Sequence, residues 1–356
     1  MQILVHEFVS GGGLSGQPVP TSLAREGLAM LTALVEDLAA IGGHQIVTTV
    51  DPRFLLPAPP GVQVVTLSPE GGATFDALVA AADAVWLVAP ETNRCLERLA
   101  AKVERAGTTL LGSGATATRR ASDKARLPRL LARLGIPHPK TRVFHPDLDG
   151  EPVDREVGYP LVVKPARGAG CDGVCLVRNE RELGDAVDLA RSSEGDGALL
   201  LQRYVTGTAA SVSLLADGQR AVVLTVNSQS VDASTPFSYR GGQTPFDHPL
   251  AEKAAANARR TCEALSGLRG FIGVDLVLTD SEAVVIEVNP RLTTAYLGVR
   301  AAIGGNNGRG ENVAAMALAA CAGSLPPPPL TRRSVRFSAA GLIHEVAPSS
   351  SAPVRP

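Results

Sequence analysis

Two short segments in the last third of the chain carry acids where buried strands would not normally hold them. In 284–292 (VVIEVNPRL), Glu287 and Asn289 interrupt a run of branched apolar residues, and Pro290 and Arg291 follow. In 271–278 (FIGVDLVL), Asp275 is the one charged residue. Side chains on a strand alternate, so Glu287 and Asn289 share a face. Neighbouring carboxylates repel and lose hydration unless a cation sits between them. Asp, Glu and Asn offer oxygen donors, which suit Mg²⁺ or Mn²⁺ rather than zinc. Mg²⁺ held by few carboxylates completes its octahedron with water and phosphate oxygens. The competing readings are a solvent-facing strand with ordinary polar residues, or carboxylates paired with local arginines.

Asp275 joins the other two only in one register. TDSE (279–282) reads as the turn of a hairpin. A two- or four-residue loop pairs 274 with 287 and sends Asp275 to the opposite face. A three-residue loop, or a bulge, sets Asp275 directly across from Glu287. An odd loop or a bulge is therefore expected.

A site for a metal-bound phosphate also needs cations and a cradle. Residues 161–177 (LVVKPARGAGCDGVCLV) place Lys164 at the end of an apolar strand, followed by a loop with Gly168, Gly170 and Gly173 and then another strand. Glycines let backbone N–H groups approach phosphate oxygens, and strand–loop–strand makes a flap. The loop opens no helix and lacks the GxxxxGK[ST] pattern, so neither a P-loop nor a dinucleotide fingerprint applies. A plain turn is the alternative. Lys124 follows Ser122-Asp123, which reads as the cap of a helix running to Leu134. By itself Lys124 is a surface lysine. QRYV (202–205) ends another apolar run, and its backbone could read an adenine edge, as any strand end could.

The elements that position these groups fall into two parts. Apolar strands at 2–9, 45–50, 62–67, 84–89 and 108–111 alternate with helical stretches at 21–41, 73–81 and 93–106. That alternation predicts a parallel, doubly wound sheet. From 116 on, strand signals at 160–165, 173–177, 198–203, 210–215, 221–226, 271–278 and 283–289 dominate. Helices are expected at 180–192, 249–266 and 311–321. This second part reads as α+β. Pro326–Pro329 read as a stiff linker. One more strand is expected within 334–346, and the last residues, PSSSAPVRP, read as disordered. The domain expectation is 1–115, 116–200 with the Gly-rich flap, 201–325 with the metal site, and 326–356 as linker and tail.

Bulk numbers set outer limits. With 356 residues, 45% hydrophobic and 19% charged, the chain can fill two or three cores. Its net charge of −1 and the lack of a basic run argue against nonspecific nucleic-acid binding. Five scattered cysteines (Cys95, Cys171, Cys175, Cys262, Cys321) suit reduced thiols in a cytoplasmic protein. Cys171 and Cys175 have no third ligand nearby for a metal. The N-terminus does not read as a signal peptide, and no apolar run approaches a membrane span.

In this order and spacing the pieces resemble the ATP-grasp superfamily over roughly residues 115–325, with the first part similar to the Rossmann-like domain that precedes the grasp. The resemblance implies ATP held between two α+β lobes, an acyl phosphate made from a substrate carboxylate, and attack by an amine or similar nucleophile. Carried over by position, Lys124 and Lys164 would contact the α- and β-phosphates, and Gly168, Gly170 and Gly173 would close over them. Gln202, Arg203 and Val205 would line the adenine slot, and Asp275, Glu287 and Asn289 would hold Mg²⁺, or Mn²⁺. Arg291 would face the γ-phosphate or the tetrahedral intermediate. Positioning and charge neutralisation then do the chemistry, and no Ser/His/Asp or Cys/His set is evident. The superfamily often has an acid after the hinge that binds the ribose. The matching stretch 206–213 carries Ala209 and Ala210 instead, so ribose contact must come from elsewhere or be weaker.

HEFVSGGG at the start, the Ser122-Asp123-Lys124 segment, YRGGQTPFDHP (239–249) and EVNPRLTTAY (287–296) look like the tyramine–glutamate ligase group of methanofuran-type coenzyme synthesis. That likeness implies glutamate and tyramine as small-molecule partners; the charge and hydropathy readings above add the expectation of neither nucleic acid nor membrane. A homodimer is admissible. Glu7 would attract an ammonium group at the sheet's C-terminal edge, and Arg240, with Arg300 a weaker candidate, would grip a carboxylate. The competing roles are a capping or exposed glutamate for Glu7 and a flexible loop for Arg240. His6 and His248 read as structural. Two alternatives remain: a ligase for another amino-acid or dipeptide pair, and a nucleotide-binding module without ligase activity.

Overall fold

A computed structural model describes residues 1–67, 71–145, 157–194, 197–304 and 311–346. The expected disordered tail lies outside these residues. The first part contains β1 (Gln2–Glu7), α1 (Thr21–Ile41), β2 (Gln45–Val50), β3 (Gln63–Thr66), α2 (Gly71–Ala81), β4 (Ala84–Val88), α3 (Cys95–Arg105) and β5 (Thr109–Leu110). Its five strands are parallel in the order β3-β2-β1-β4-β5, the doubly wound arrangement expected from the alternation. Successive β1 residues feed opposite cores: Ile3 and Val5 join the cluster with Leu31, Leu34 and Leu38 of α1, and Leu4 joins the one with Val79 and Val103. The strand order reverses between β1 and β4, so their C-terminal ends flank a crevice.

The chain continues through α4 (Ala115–Ala121), α5 (Leu127–Arg133), β6 (Thr141–Phe144), β7 (Leu161–Pro165), β8 (Cys175–Val177), α6 (Leu183–Glu194) and β9 (Leu199–Arg203). The four strands form an antiparallel sheet, β6-β9-β7-β8. One face, with Leu161, Val163, Leu199 and Leu201, packs on Leu183, Ala186 and Ala190 of α6. Register puts Lys164 opposite Leu200, and Val162 opposite both Leu176 and Gln202, so these five side chains share the other face.

β10 (Thr208–Asp217), β11 (Ala221–Asp232), β12 (Ser238–Thr244), α7 (Ala251–Ala264), β13 (Arg269–Leu278), β14 (Ala283–Asn289), α8 (Ala295–Ile303), α9 (Val313–Cys321), β15 (Ser334–Ser338) and β16 (Ile343–Val346) complete the chain. Their strands make a seven-stranded antiparallel sheet, β14-β13-β10-β11-β12-β15-β16. Residues 334–346 are thus a hairpin on the sheet edge, where one strand was expected. Ala210, Val212, Ile272, Val274 and Val285 face α7, α4 and α5. On the other face, Leu215 and Phe271 sit in the α1, α8 and α9 core shared with the first part. Further along the same two strands that face becomes polar at Ser211 and Asp275. One sheet face therefore runs from core into site.

Three sequence expectations need correction. The span 122–134, read as one helix, is a turn followed by the shorter helix α5, and Ser122 ends the preceding helix α4 instead of opening a helix: its hydroxyl donates to Thr118 O at 2.7 Å. Lys124 consequently sits in the turn between α4 and α5. Segment 239–249 begins as strand β12, where a flexible loop was the competing reading. α8 was not anticipated. Its Gly298 packs so closely on Phe337 that a Cβ there would lie 2.4 Å from the ring, and glycine lowers apparent helix propensity. Among the described residues no helix is long and apolar enough to cross a membrane.

Candidate functional site

The floor of the site is the β13–β14 hairpin. Its four-residue loop pairs Leu278 with Ala283, and that register continues to Leu276–Val285. Ile286 is then bulged out, and Asp275 lies directly opposite Glu287, with Gly273 opposite Asn289. This is the bulge that the chemistry required. Asp275 accepts from Asn289 Nδ2 at 2.8 Å and from Gln229 Nε2 at 2.8 Å. Gln229 comes from β11, and behind it Asn227, Ser211, Ser213 and Thr225 form a buried hydrogen-bonded layer.

Two buried ammonium groups face this floor. Lys124 is 8% exposed and its Nζ lies 2.9 Å from Glu287 Oε2. Lys164 is 4% exposed, with Nζ 3.9 Å from the same oxygen. Because α4 and α5 pack under the seven-stranded sheet, their connecting turn delivers Lys124 to Glu287. The alternation of β7 aims Lys164 into the cleft. Burial pushes the Glu287 carboxyl up, but Lys124 and Lys164 outweigh it and hold the group below its ordinary range. Asp275 goes the other way, raised to about 7 by burial and by the Glu287 charge beside it. Burial also brings Lys164 down to about 8, against the pull of Glu287.

Arg291 follows the hairpin and reaches into the first part. Its Nε and Nη2 donate to Glu91 Oε1 and Oε2, both at 3.0 Å, and its Nη1 donates to Leu292 O at 3.1 Å. Burial acts against the Arg291 charge, and Glu91 more than restores it. Glu91, just beyond β4, carried no signal in the sequence. Nor did Glu26 on α1, whose carboxylate accepts from Thr294 Oγ1 and is raised by burial while Arg291 acts against the rise. Glu7 ends β1 at the crevice, but its carboxylate accepts from the N–H groups of Val9 (3.1 Å) and Ser10 (2.6 Å) and from Ser10 Oγ (2.6 Å). It organises the helical turn Val9–Gly13, and burial raises its pKa.

The remaining expected residues divide. Gly168, Gly170 and Gly173 form the loop between β7 and β8; Gly170 (φ 64°) and Gly173 (φ 66°) need glycine for their backbone conformation. Gln202 is buried and donates to Thr141 Oγ1 at 2.9 Å, whereas Arg203 is exposed and Val205 half-buried. Arg240 is the bulged residue between β11 and β12; its exposed guanidinium pairs with Asp232 at 2.9 Å. Its neighbour Tyr239 is raised well above the usual phenol range, by burial first and then by the charges of Glu26 and Asp275. Arg300 lies on α8, where it pairs with Asp37 of α1 at 2.7 Å and with Glu36 at 3.2 Å, so the structure does not bring it to the hairpin.

No cluster of three or more His, Cys, Asp or Glu side chains among the described residues forms a metal cage. Two carboxylates and one amide fit Mg²⁺, which takes one or two carboxylates together with phosphate and water. Asp275, Glu287 and Asn289 would hold it.

Residues 121–295 match the family model for the ATP-grasp domain, and 44–118 match that for the pre ATP-grasp 3 domain. The carbamoyl phosphate synthase large chain of Thermus thermophilus is 32% identical over 212 residues, 58% of this chain and 20% of that protein. The Vibrio cholerae counterpart is 28% identical over 198 residues, 54% of this chain and 18% of that one. The chain thus spans about a fifth of the length of these relatives. Among solved structures, an ATP-grasp superfamily protein from Archaeoglobus fulgidus superposes with a TM-score of 0.67 at 25% identity, covering 94% of this chain and 92% of that one. Bacillus anthracis D-alanine–D-alanine ligase complexed with ATP shares the fold at 18% identity, with a TM-score of 0.56, covering 82% and 85%. With a parallel first domain, an antiparallel two-sheet second part and both family models matched in order, this chain belongs to the ATP-grasp superfamily and carries its preceding domain.

Proposed function

We propose that this protein is an ATP-dependent carboxylate–amine ligase, with glutamate and tyramine the substrate pair that its sequence motifs favour. The observation that carries the reading is the pair of buried ammonium groups, Lys124 and Lys164, converging on Glu287 opposite Asp275. Two buried cations facing two part-buried acids make a site that suits a polyanion with its metal better than it suits a folded core. Lys124 and Lys164 would contact α- and β-phosphate oxygens, and the N–H groups of the 168–173 loop would close over them. Val162, Leu176 and Leu200 share the Lys164 face and supply an apolar wall for the adenine, with Gln202 at its edge. Mg²⁺ would neutralise the triphosphate and orient its terminal group.

The reaction follows from what these groups can do. A substrate carboxylate oxygen attacks the γ-phosphorus and ADP departs. The amine nitrogen then attacks the acyl phosphate carbon, inorganic phosphate leaves, and the amine proton goes to solvent. Arg291, next to the hairpin, stabilises charge on the transferring phosphoryl group. The acids near Arg291, Glu26 and Glu91 with Glu7 behind them, favour docking of the amine in its ammonium form at the crevice, which releases a proton to solvent to become the neutral nucleophile before it attacks.

The test is ADP release from Mg²⁺·ATP with L-glutamate against an amine panel. Release that needs both glutamate and tyramine supports the reading. Release with other pairs keeps the chemistry and moves the substrates. Tight nucleotide binding without turnover for any pair leaves a binding module and overturns it.

A further inference from the structure

We infer that the 90–94 loop of the first domain is a working part of the nucleotide site. In this inference Glu91 is a positioning residue for Arg291, and Thr92 is the seat of the Gly-rich flap. Two adjacent residues would then join flap closure to the alignment of Arg291. The inference rests on the reading above that Arg291 faces the γ-phosphate.

Three separate observations converge on this loop. First, Glu91 is 5% exposed and grips Arg291 through two parallel bonds of 3.0 Å. A fork-to-fork pair fixes the guanidinium plane as well as its position. The Nη1 bond to Leu292 O fixes the third side, so Arg291 cannot swing without leaving Glu91. Second, the flap touches the next residue: Ala169 N–H, between Gly168 and Gly170, donates to Thr92 Oγ1 at 3.1 Å. Third, Asn93 (φ 52°) and Arg94 (φ 57°) are the two non-glycine residues with left-handed backbone among the described residues. That conformation is unfavourable for a residue with a side chain and persists only where surroundings over-determine it.

The surroundings do so here. Arg94 N–H donates to Glu91 O at 3.0 Å, and Leu96 N–H donates to Pro90 O at 3.0 Å. The Arg94 guanidinium forks onto Glu97 through contacts of 2.8 and 2.6 Å. The left-handed pair joins this loop to the start of α3, and the loop presents Glu91 to the residue after the hairpin and Thr92 to the flap. The flap has a second tether in the same region: Arg167 pairs with Asp123, the residue before Lys124. The crevice at the β1–β4 reversal, where open α/β sheets take ligands, is therefore joined to the phosphate site by short polar contacts.

The test measures affinity for Mg²⁺·AMP-PNP and Mg²⁺·ADP in the full chain, together with tryptic cleavage after Arg167. Glu91→Gln is expected to lose about tenfold of the preference for AMP-PNP over ADP, the effect of weakening a charge-assisted contact, while ADP affinity stays within about twofold. A merely structural Glu91 would weaken both nucleotides alike. Thr92→Val is expected to lose about fivefold of the AMP-PNP protection at Arg167, the worth of one hydrogen bond, and Thr92→Ser to keep it. An unchanged AMP-PNP preference in Glu91→Gln, or full protection in Thr92→Val, overturns the inference. Arg291→Ala serves as the control: if it keeps the wild-type preference for AMP-PNP, the γ-phosphate reading itself fails and the inference fails with it.

Discussion

Lys124 Nζ and Glu287 Oε2 are 2.9 Å apart, and neither residue belongs to the lobe that carries the flap. Lys124 arrives from a turn under the seven-stranded sheet and Glu287 from the edge hairpin of that sheet. Lys164 approaches the same oxygen from across the cleft at 3.9 Å. Glu287 is thus the anion on which the two lobes' cations converge, and the hairpin bulge is what brings Asp275 to its side.

Replacing Glu287 by Gln should therefore act in two ways. ADP release is expected to fall at least about a hundredfold, the scale for removing one preorganised charge from a reaction site. Stability should drop by about 3 kcal/mol, the scale for breaking a buried ion pair. It should partly recover as pH rises, because the orphaned lysines then lose their protons. Unfolding in urea at pH 7 and 9 checks the second effect. Wild-type ADP release at saturating Mg²⁺ would remove Glu287 from the site.

Much of this site could be read before the fold was known, for a definable reason. Asp275, Glu287 and Asn289 sit on adjacent strands, where period and register decide which side chains meet, so an odd loop or a bulge could be required from the chemistry alone, and the hairpin takes the bulge. Lys164 and the 168–173 loop were legible in the same local way. Glu91, Glu26 and Thr92 were not: they lie on a loop and a helix of the first domain and meet Arg291, Thr294 and Ala169 only through the packing of one domain on the other. Ser122-Asp123 misled because a serine can end a helix, through a bond to the preceding turn, as readily as it can begin one. Arg300 looked available because α8 was unseen, and with it the acids of α1 that the helix faces.

Arg300 is expected to matter for stability. Its guanidinium donates to Asp37 through Nε at 2.9 Å and Nη2 at 2.7 Å, and Tyr296 OH donates to Asp37 at 2.5 Å. Arg300→Met keeps the apolar stem and leaves Asp37 with the phenol. The cost should be about 2 kcal/mol, below the usual figure for a buried pair because the arginine is partly exposed. AMP-PNP affinity should stay within about twofold of wild type, since one hydrogen bond would shift it more. A substrate-binding Arg300 would give the opposite pattern, with intact stability and a raised requirement for the carboxylate substrate.

Gly27 tests the packing behind Glu7. A Cβ at Gly27 would lie 2.5 Å from Glu7 Oε2, and that carboxylate cannot retreat because Val9 and Ser10 hold it. Alanine in a helix interior gains about 1 kcal/mol over glycine, while overpacking a fixed neighbour costs about 1–3 kcal/mol. The clash should win, and Gly27→Ala should lower the unfolding midpoint. A higher midpoint would mean that Glu7 can move, and that its hydrogen bonds to the helical turn are weak.

His6 sets an acid limb on stability. It is 3% exposed on β1, hydrogen-bonded to Thr49 Oγ1 at 2.7 Å and packed at a tilt against the Phe75 ring, and burial lowers its pKa to about 4. The unfolded chain takes up a proton near pH 6.5, the ordinary histidine value. Above pH 6.5 neither state is charged and the residue exacts no penalty. Between 6.5 and 4 the unfolded state binds the proton first, so stability falls with falling pH, by about 2 kcal/mol at pH 5. Below pH 4 both states are charged and the loss levels off. Glu7 and Glu26 act in the opposite sense: burial raises their folded pKa values, so their protonation favours the folded state as pH falls. Denaturation of wild type and His6→Gln across pH 7.5 to 4.5 separates the two contributions. The difference between the proteins should shrink by about 2 kcal/mol toward pH 5, because only the wild type loses the histidine contribution. A constant difference would mean that the imidazole is protonated in place, with Thr49 Oγ1 accepting a hydrogen bond from its Nδ1–H.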